Sequence, residues 1–424
     1  MGILQHIYYF FSCYTDPTER RVGKFFNRVN EREAHHKIEK SLLRLLQQDI
    51  AVVNLWTEQR YKGYDYLTKR TRKQLYENLA AIKHDFEVFS ASQQTDIKQV
   101  LDEVKGKGVD VSMLRTRQEQ LAHIVAIMQY LAPRNGRYVY RSSSSFGRLL
   151  RDPSREVLEG DCNQIVTLYI ALFAMKHDVS DLNLTIYPGH VALHFHGVDI
   201  ETTNGTFANY NKEGQYRAPL HEIVSVNLLD TTDTNFTKSA VNPEVFLQAA
   251  RMAYVVSSNR SLVKNNLEIA YHNAVRHMMK ADRYDQALTY ARQSKSYELI
   301  EAAAHNGAVH AMRQHNFAAA RRFAASTQKK QELLIAIDRN EAAYLYNARN
   351  YEAAVRIFSR LGDTPMVKQS YRALYVAAQT QLKGVRTVGG MKAHAGTIRT
   401  MERYAKLSGD AGLLKHVQSL TKHL

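Results

Sequence analysis

Val157-Leu158-Glu159-Gly160-Asp161-Cys162-Asn163-Gln164 is the stretch on which the reading of this chain turns. Behind it Ile165, Val166, Tyr169, Leu172 and Phe173 recur at helical spacing, and Asp161 is a residue type that caps a helix start. Cys162 is therefore predicted in the first turn of a helix, where the partial positive charge and unpaired N–H groups favour a thiolate. After Asp178 and Asp181 the pattern changes to alternation. Leu184 and Ile186 lead to His190, Ala192, His194 and His196 on one parity, with Val191, Leu193 and Phe195 on the other. These are predicted strands, joined by a turn near His196-Gly197.

Hairpin arithmetic tests which carboxylate could serve His190. If the turn pairs Phe195 with Val198, then Ala192 faces Glu201 and His190 faces Thr203. His190 and Glu201 then share a sheet face as diagonal neighbours, about 7–8 Å apart at the backbone. A turn with an odd number of residues would move Glu201 to the opposite face. Asp199 has the same parity, pairs with His194 and is the competing orienter. A thiol, an imidazole and a carboxylate on helix, strand and strand form the set that a cysteine nucleophile with a histidine base requires.

The stretch from Val157 to Gln164, Gly189-His190-Val191 and Ile200-Glu201-Thr202-Thr203 together resemble the transglutaminase-like branch of the papain-like cysteine enzymes. The resemblance covers about residues 120–230. It implies an α+β papain-type domain with Cys162 as nucleophile, His190 as base and Glu201 as acidic orienter, and it implies no cofactor. This chain carries Glu201 where the family usually has Asp, and it lacks the aromatic residue often found after the histidine, having Val191 and Ala192 there. Active members attack an amide carbonyl and pass through an acyl-enzyme, released to water or an amine; other members have lost activity. Hydrolysis of a protein or peptide substrate is the expectation here, because water needs no second pocket. The backbone N–H of Cys162 is the one oxyanion donor the sequence offers.

Charge divides the chain. Net charge is +16. Lys and Arg stand against Asp and Glu at 24 to 16 over residues 1–150, 6 to 13 over residues 151–250, and 27 to 12 over residues 251–424. The balance changes sign twice, near the places where motif content changes, so three segments are expected: a helical N-terminal region over 1–115, the central domain over 116–240, and a helical C-terminal region over 241–424. Residues 18–131 read as helices, with one stripe at Ile38, Leu42, Leu45, Leu46, Ile50 and Val53, and another at Leu75, Leu79, Ile82 and Phe86; Leu121, Ile124, Val125 and Met128 continue the pattern. Tyr138-Val139-Tyr140 reads as a short strand.

Towards the C-terminus the chain repeats itself. Tyr284, Phe317 and Tyr351 lie 33 and 34 residues apart, each three residues before an alanine: Ala287, Ala320 and Ala354. Over roughly residues 265–365 this resembles tetratricopeptide repeats, whose period is 34 and whose small residues sit where two helices cross. The resemblance implies a helical-pair solenoid that could recruit a protein partner. Phe358 fits the later large-apolar position of the third repeat, whereas Ala291 and Ala324 occupy it in the other two.

Cys13 and Cys162, the only two cysteines, cannot make a disulfide framework or a cysteine zinc site, and a reducing, cytoplasmic setting is the simpler expectation. Ile7 to Phe11 is apolar but lacks a basic flank and a small-residue cleavage site, and no segment offers the ~18 apolar residues of a membrane span. Met1-Gly2 resembles a myristoylation signal, with His6 where Ser or Thr is wanted. The sequence is open to three other readings. The central domain could be an inactive relic beside a working repeat surface. His190, His194 and His196 with Glu201 resemble the metal-binding set of cupin barrels. The basic tail could meet nucleic acid, although no nucleic-acid motif accompanies the charge.

Overall fold

The N-terminal stripes form helices α1 (Pro17–Arg28), α2 (His35–Thr57), α3 (Lys69–Ala91), α4 (Ile97–Gly106) and α5 (Gln118–Leu131). The computed structural model that shows them describes residue 9 and residues 12–142, 144–210, 215–231 and 242–422. The apolar start over residues 7–11, Tyr9 apart, and the Met1-Gly2 signal lie outside the described residues. All the apolar positions singled out in α2, α3 and α5 are buried. Helix α2 is interrupted at Asp49 (φ −169°, ψ 98°), whose Oδ1 accepts the Ala51 and Val52 N–H groups at 3.0 and 3.3 Å and so caps the second half.

β1 (Tyr138–Tyr140) pairs in parallel with β2 (Leu158–Gly160), across the short helix α6 (Phe146–Leu149). β2 leads into α7 (Cys162–Phe173), which begins where the sequence predicts. The Asp161 carboxylate accepts the Asn163 N–H at 3.0 Å, and Gln164 Oε1 accepts the Asp161 N–H at 2.9 Å, a reciprocal capping box that fixes the helix start. Gln164 to Phe173 are all buried. At the far end of α7, Gln47 of α2 closes the backbone. Its Nε2 donates to the carbonyls of Ala174 and His177, both at 3.2 Å, and its Oε1 accepts the Val179 N–H at 2.7 Å.

Five antiparallel strands follow: β3 (Leu182–Tyr187), β4 (His190–Phe195), β5 (Val198–Glu201), β6 (Thr206–Ala208) and β7 (Tyr216–Pro219), in the spatial order β6-β5-β4-β3-β7. Phe195 pairs with Val198, His194 with Asp199 and Leu193 with Ile200, the register the hairpin arithmetic assumed. The turn has two residues, His196 (φ 41°) and Gly197 (φ 99°), and left-handed conformations at both suit the right-handed twist of a tight hairpin. The preceding hairpin turns on Pro188 and Gly189 (φ 76°), which places His190 at the first position of β4. Helices α8 (Ile223–Leu229) and α9 (Pro243–Val256) follow the sheet.

One core joins the N-terminal helices to the central strands: Val22, Leu46, Trp56, Phe86 and Leu131 belong to the same buried cluster as Ile165, Phe173, Leu193 and Val198. The fold is α+β, mostly helical with a small antiparallel sheet. It groups into two compact units, Met1–Ala270 and Tyr271–Leu424. The segments that charge separates at about residue 115 thus share one apolar interior, because the stripes of α2, α3 and α5 are buried in the cluster that also takes α7 and the sheet.

In the second unit Tyr284, Phe317 and Tyr351 each open a helix, over Tyr284–Ser294, Phe317–Ala324 and Tyr351–Arg360. Each is followed by a longer helix, over Tyr297–Arg313, Lys330–Asn347 and Thr364–Thr380. Ala287, Ala320 and Ala354 are completely buried, as a small residue between packed helices must be. Ahead of each pair one non-glycine residue turns left-handed: Asp282, His315 and Arg349, at φ 56°, 55° and 62°. The next N–H then reaches back five residues in the chain to close the preceding helix, as Asn316 does to Ala311 and Asn350 to Leu345 at 2.9 Å.

Candidate active site

Three elements deliver three side chains to one place: the first turn of α7 brings Cys162, the start of β4 brings His190, and the end of β5 brings Glu201. The His190 Nε2 lies 2.7 Å from Glu201 Oε2, and the Cys162 thiol hydrogen-bonds the same ring. With Nε2 taken by the carboxylate, Nδ1 is the nitrogen left for the thiol. The Cys162 Sγ also lies 3.9 Å from Asn163 Oδ1. Cys162 and His190 both line one open cavity of about 530 Å³, and Cys162 is half-buried.

The electrostatics follow from these contacts. The hydrogen bond with Cys162, then that with Glu201, favours the imidazolium and raises the His190 pKa to about 9 against the opposing effect of burial. Burial pushes the Glu201 carboxyl up, but hydrogen bonds from His190, Thr203 and Tyr210 outweigh it and bring the pKa down to about 2. Thr203 donates its hydroxyl at 2.5 Å and its N–H at 3.1 Å to Oε1, and the Tyr210 hydroxyl donates to Oε2 at 2.5 Å. The Tyr187 ring packs against His190 with centroids 4.9 Å apart. Such a carboxylate stays ionised across the working pH range and fixes both tautomer and orientation of the ring.

Asp199, the competing carboxylate, is engaged elsewhere. It is fully buried and accepts from Thr185 Oγ1 at 2.7 Å, His194 Nδ1 at 3.1 Å, the Tyr210 N–H at 2.8 Å and the Arg217 guanidinium. Burial pushes its carboxyl up, and these bonds more than reverse the effect, holding it below the usual range. His196 lies off the strand face predicted for it. His196 sits in the turn beyond the end of β4, where strand parity has ceased to apply, and its Nε2 lies 3.6 Å from Asp181 Oδ1. Among the described residues no three His, Cys, Asp or Glu side chains are grouped to hold a metal ion.

Thr203 and Tyr210 are site residues to which no sequence pattern points. Thr203 flanks Glu201 in the chain, and its hydroxyl and N–H both serve the carboxylate. Tyr210 arrives from the loop after β6, where no periodicity points to it. Among the described residues no helix is long and apolar enough to cross a membrane. No protein-family model, curated protein or solved structure matches the chain.

Proposed function

We propose that this chain is a cysteine-dependent amide-bond enzyme of the transglutaminase-like kind, acting on a protein or peptide in a reducing, cytoplasmic setting, with its C-terminal tetratricopeptide-like helix pairs recruiting a partner. The observation that supports it is the His190 ring held between the Cys162 thiol and the Glu201 carboxylate at an open cavity.

In this reading the Cys162 sulfur attacks the amide carbonyl carbon while His190 holds the thiol proton. The tetrahedral oxyanion meets the Cys162 N–H, one of the helix-start donors with no partner inside the helix. Collapse expels the amine, which takes the proton from His190 and leaves a thioester. Water then attacks the thioester as His190 takes its proton. The acid leaves, and the proton returns to sulfur. Glu201 remains ionised throughout and steadies the imidazolium.

A limiting amount of an iodoacetamide probe, followed by peptide mass spectrometry, tests the claim. Cys13 is exposed and Cys162 half-buried, so exposure alone favours Cys13. The expected result is predominant labelling of Cys162, lost in His190→Ala, together with loss of peptide-amide turnover in Cys162→Ala. Labelling that follows exposure, with turnover unchanged in the Cys162 variant, would leave an interaction protein whose repeat surface does the work.

A further inference from the structure

The cavity at the thiol has a second set of walls that the catalytic reading does not use. Glu222, Ser225, Val226 and Leu229 line it at the i, i+3, i+4, i+7 spacing of one helix face, at and just before α8. Asp161 and Asp230 complete that side. Three carboxyl groups thus border one cavity, and no lysine or arginine is found among the described residues that line it. This occurs in a chain where Lys and Arg outnumber Asp and Glu by 57 to 41.

Ser225 is an independent sign that something is bound there. Its residue is 2% exposed and its Oγ has no hydrogen-bond partner among the described residues. Buried hydroxyls are nearly always paired, because an unpaired one keeps the full cost of leaving water. A hydroxyl left unpaired at the wall of an open cavity is satisfied when a ligand brings it a polar group.

Resting on the reading of Cys162 as nucleophile, we infer that this side of the cavity is a subsite for a cationic side chain of the substrate, lysine or arginine, next to the reacting carbonyl. Glu222 is held by the Ser258 N–H and hydroxyl at 2.6 and 2.7 Å, so the Asp161 and Asp230 carboxylates meet the charged end, while Val226 and Leu229 offer apolar surface to the methylenes and Ser225 Oγ accepts one of its N–H groups. The electrostatics of the cavity wall agree: burial, and then the charge of Asp230, raise the Asp161 pKa to about 7, a conflict that a cation between the two relieves. The protein's net charge of +16 disfavours cationic ligands in general, so a preference for them has to come from the cavity itself.

Binding of labelled peptide amides to the full-length Cys162→Ala protein, read by fluorescence anisotropy, tests this apart from turnover. Four peptides differ only beside the target amide, carrying lysine, arginine, norleucine or glutamate. Lysine and arginine peptides are expected to bind at least about tenfold tighter than norleucine, with glutamate weakest, on the scale of one charge-assisted hydrogen bond. Asp230→Asn is expected to bring lysine to within about threefold of norleucine on the same scale. Ser225→Ala gives a second reading should the first variant fold poorly. Equal binding of lysine and norleucine, no binding of any peptide, or a lysine preference untouched by both substitutions overturns the subsite. A lysine preference in a protein whose wild type turns over no amide would instead overturn the enzymatic reading and leave the subsite standing.

Discussion

Two histidine–carboxylate pairs stand on the same hairpin, His190 with Glu201 and His194 with Asp199, and their surroundings make them different devices. Asp199 is fully buried and bonded to Thr185, Arg217 and the Tyr210 backbone as well as to His194. Glu201 also has several donors, but the ring it holds turns its other side to a thiol and an open cavity. The His194–Asp199 pair is a structural knot, and the His190–Glu201 pair is, in the function proposed above, the acid–base group. The same pair of residue types thus stands either locked in the interior or facing a thiol and a cavity, according to what surrounds the imidazole. The two are also linked, since Tyr210 gives its backbone N–H to Asp199 and its hydroxyl to Glu201.

The sharpest way to break the contrast is at the thiol. Cys162→Ala is expected to reduce amide turnover by at least about 10⁴-fold while leaving the unfolding midpoint close to wild type, since the sulfur is only partly packed. Steady-state kinetics and urea denaturation on the same preparations check both halves. Next in size is Glu201→Gln, expected to reduce turnover by about 10² to 10⁴-fold and to bring the His190 pKa down from about 9, measured by titrating the ring proton resonances. A His190 titration unmoved by that change would remove Glu201 from its role.

Arg217→Met probes the other pair and should act on stability instead. It leaves the buried Asp199 charge one donor short, at a cost of about 1–3 kcal/mol in urea unfolding, with turnover within about threefold of wild type. The reverse outcome, stability kept and turnover lost, would erase the distinction between the two pairs. Tyr210→Phe is milder. It removes one hydrogen bond from Glu201, and turnover is expected to fall about threefold to tenfold without a change in peptide affinity.

The smallest effect is the dependence of stability on pH. His190 is raised in the folded protein, so its contribution is complete below its ordinary value of 6.5 and is lost as pH rises through about 9. Glu201 is depressed, so its contribution is complete above its ordinary 4.5 and is lost as pH falls through about 2. Both contributions are whole between about pH 4.5 and 6.5, and the gap between the thermal unfolding midpoints of wild type and Glu201→Gln, compared across pH 4–10, should narrow at the alkaline end as the His190 share is lost, without closing, because the Glu201 share persists there.

Much of this contrast was legible in the residue order. Helix α7 declares itself through Asp161 and Gln164, which cap it locally, and through apolar positions that repeat every three to four residues. The hairpin register followed from strict alternation and a two-residue turn, and it decided that Glu201 shares a face with His190. Parity misled at His196 because the turn begins there. Tyr210 and Asp230 were not legible, because each reaches the site from a segment whose local pattern carries no information about where tertiary packing will place it. The carboxylate that would serve His190 was narrowed to two by sequence. Arg217, 18 residues downstream on β7, is what occupies Asp199.

Gln47 sets a rule for anyone who would move the site into a smaller protein. The helix carrying Cys162 ends on three backbone groups held by one side chain that comes from well over 100 positions earlier in the chain. A fragment cut to the central segment would keep all three members of the Cys162, His190 and Glu201 set, yet lose both that clasp and half of the apolar interior. The site is therefore not a transplantable cassette, and the smallest portable piece of it includes the helices that precede it.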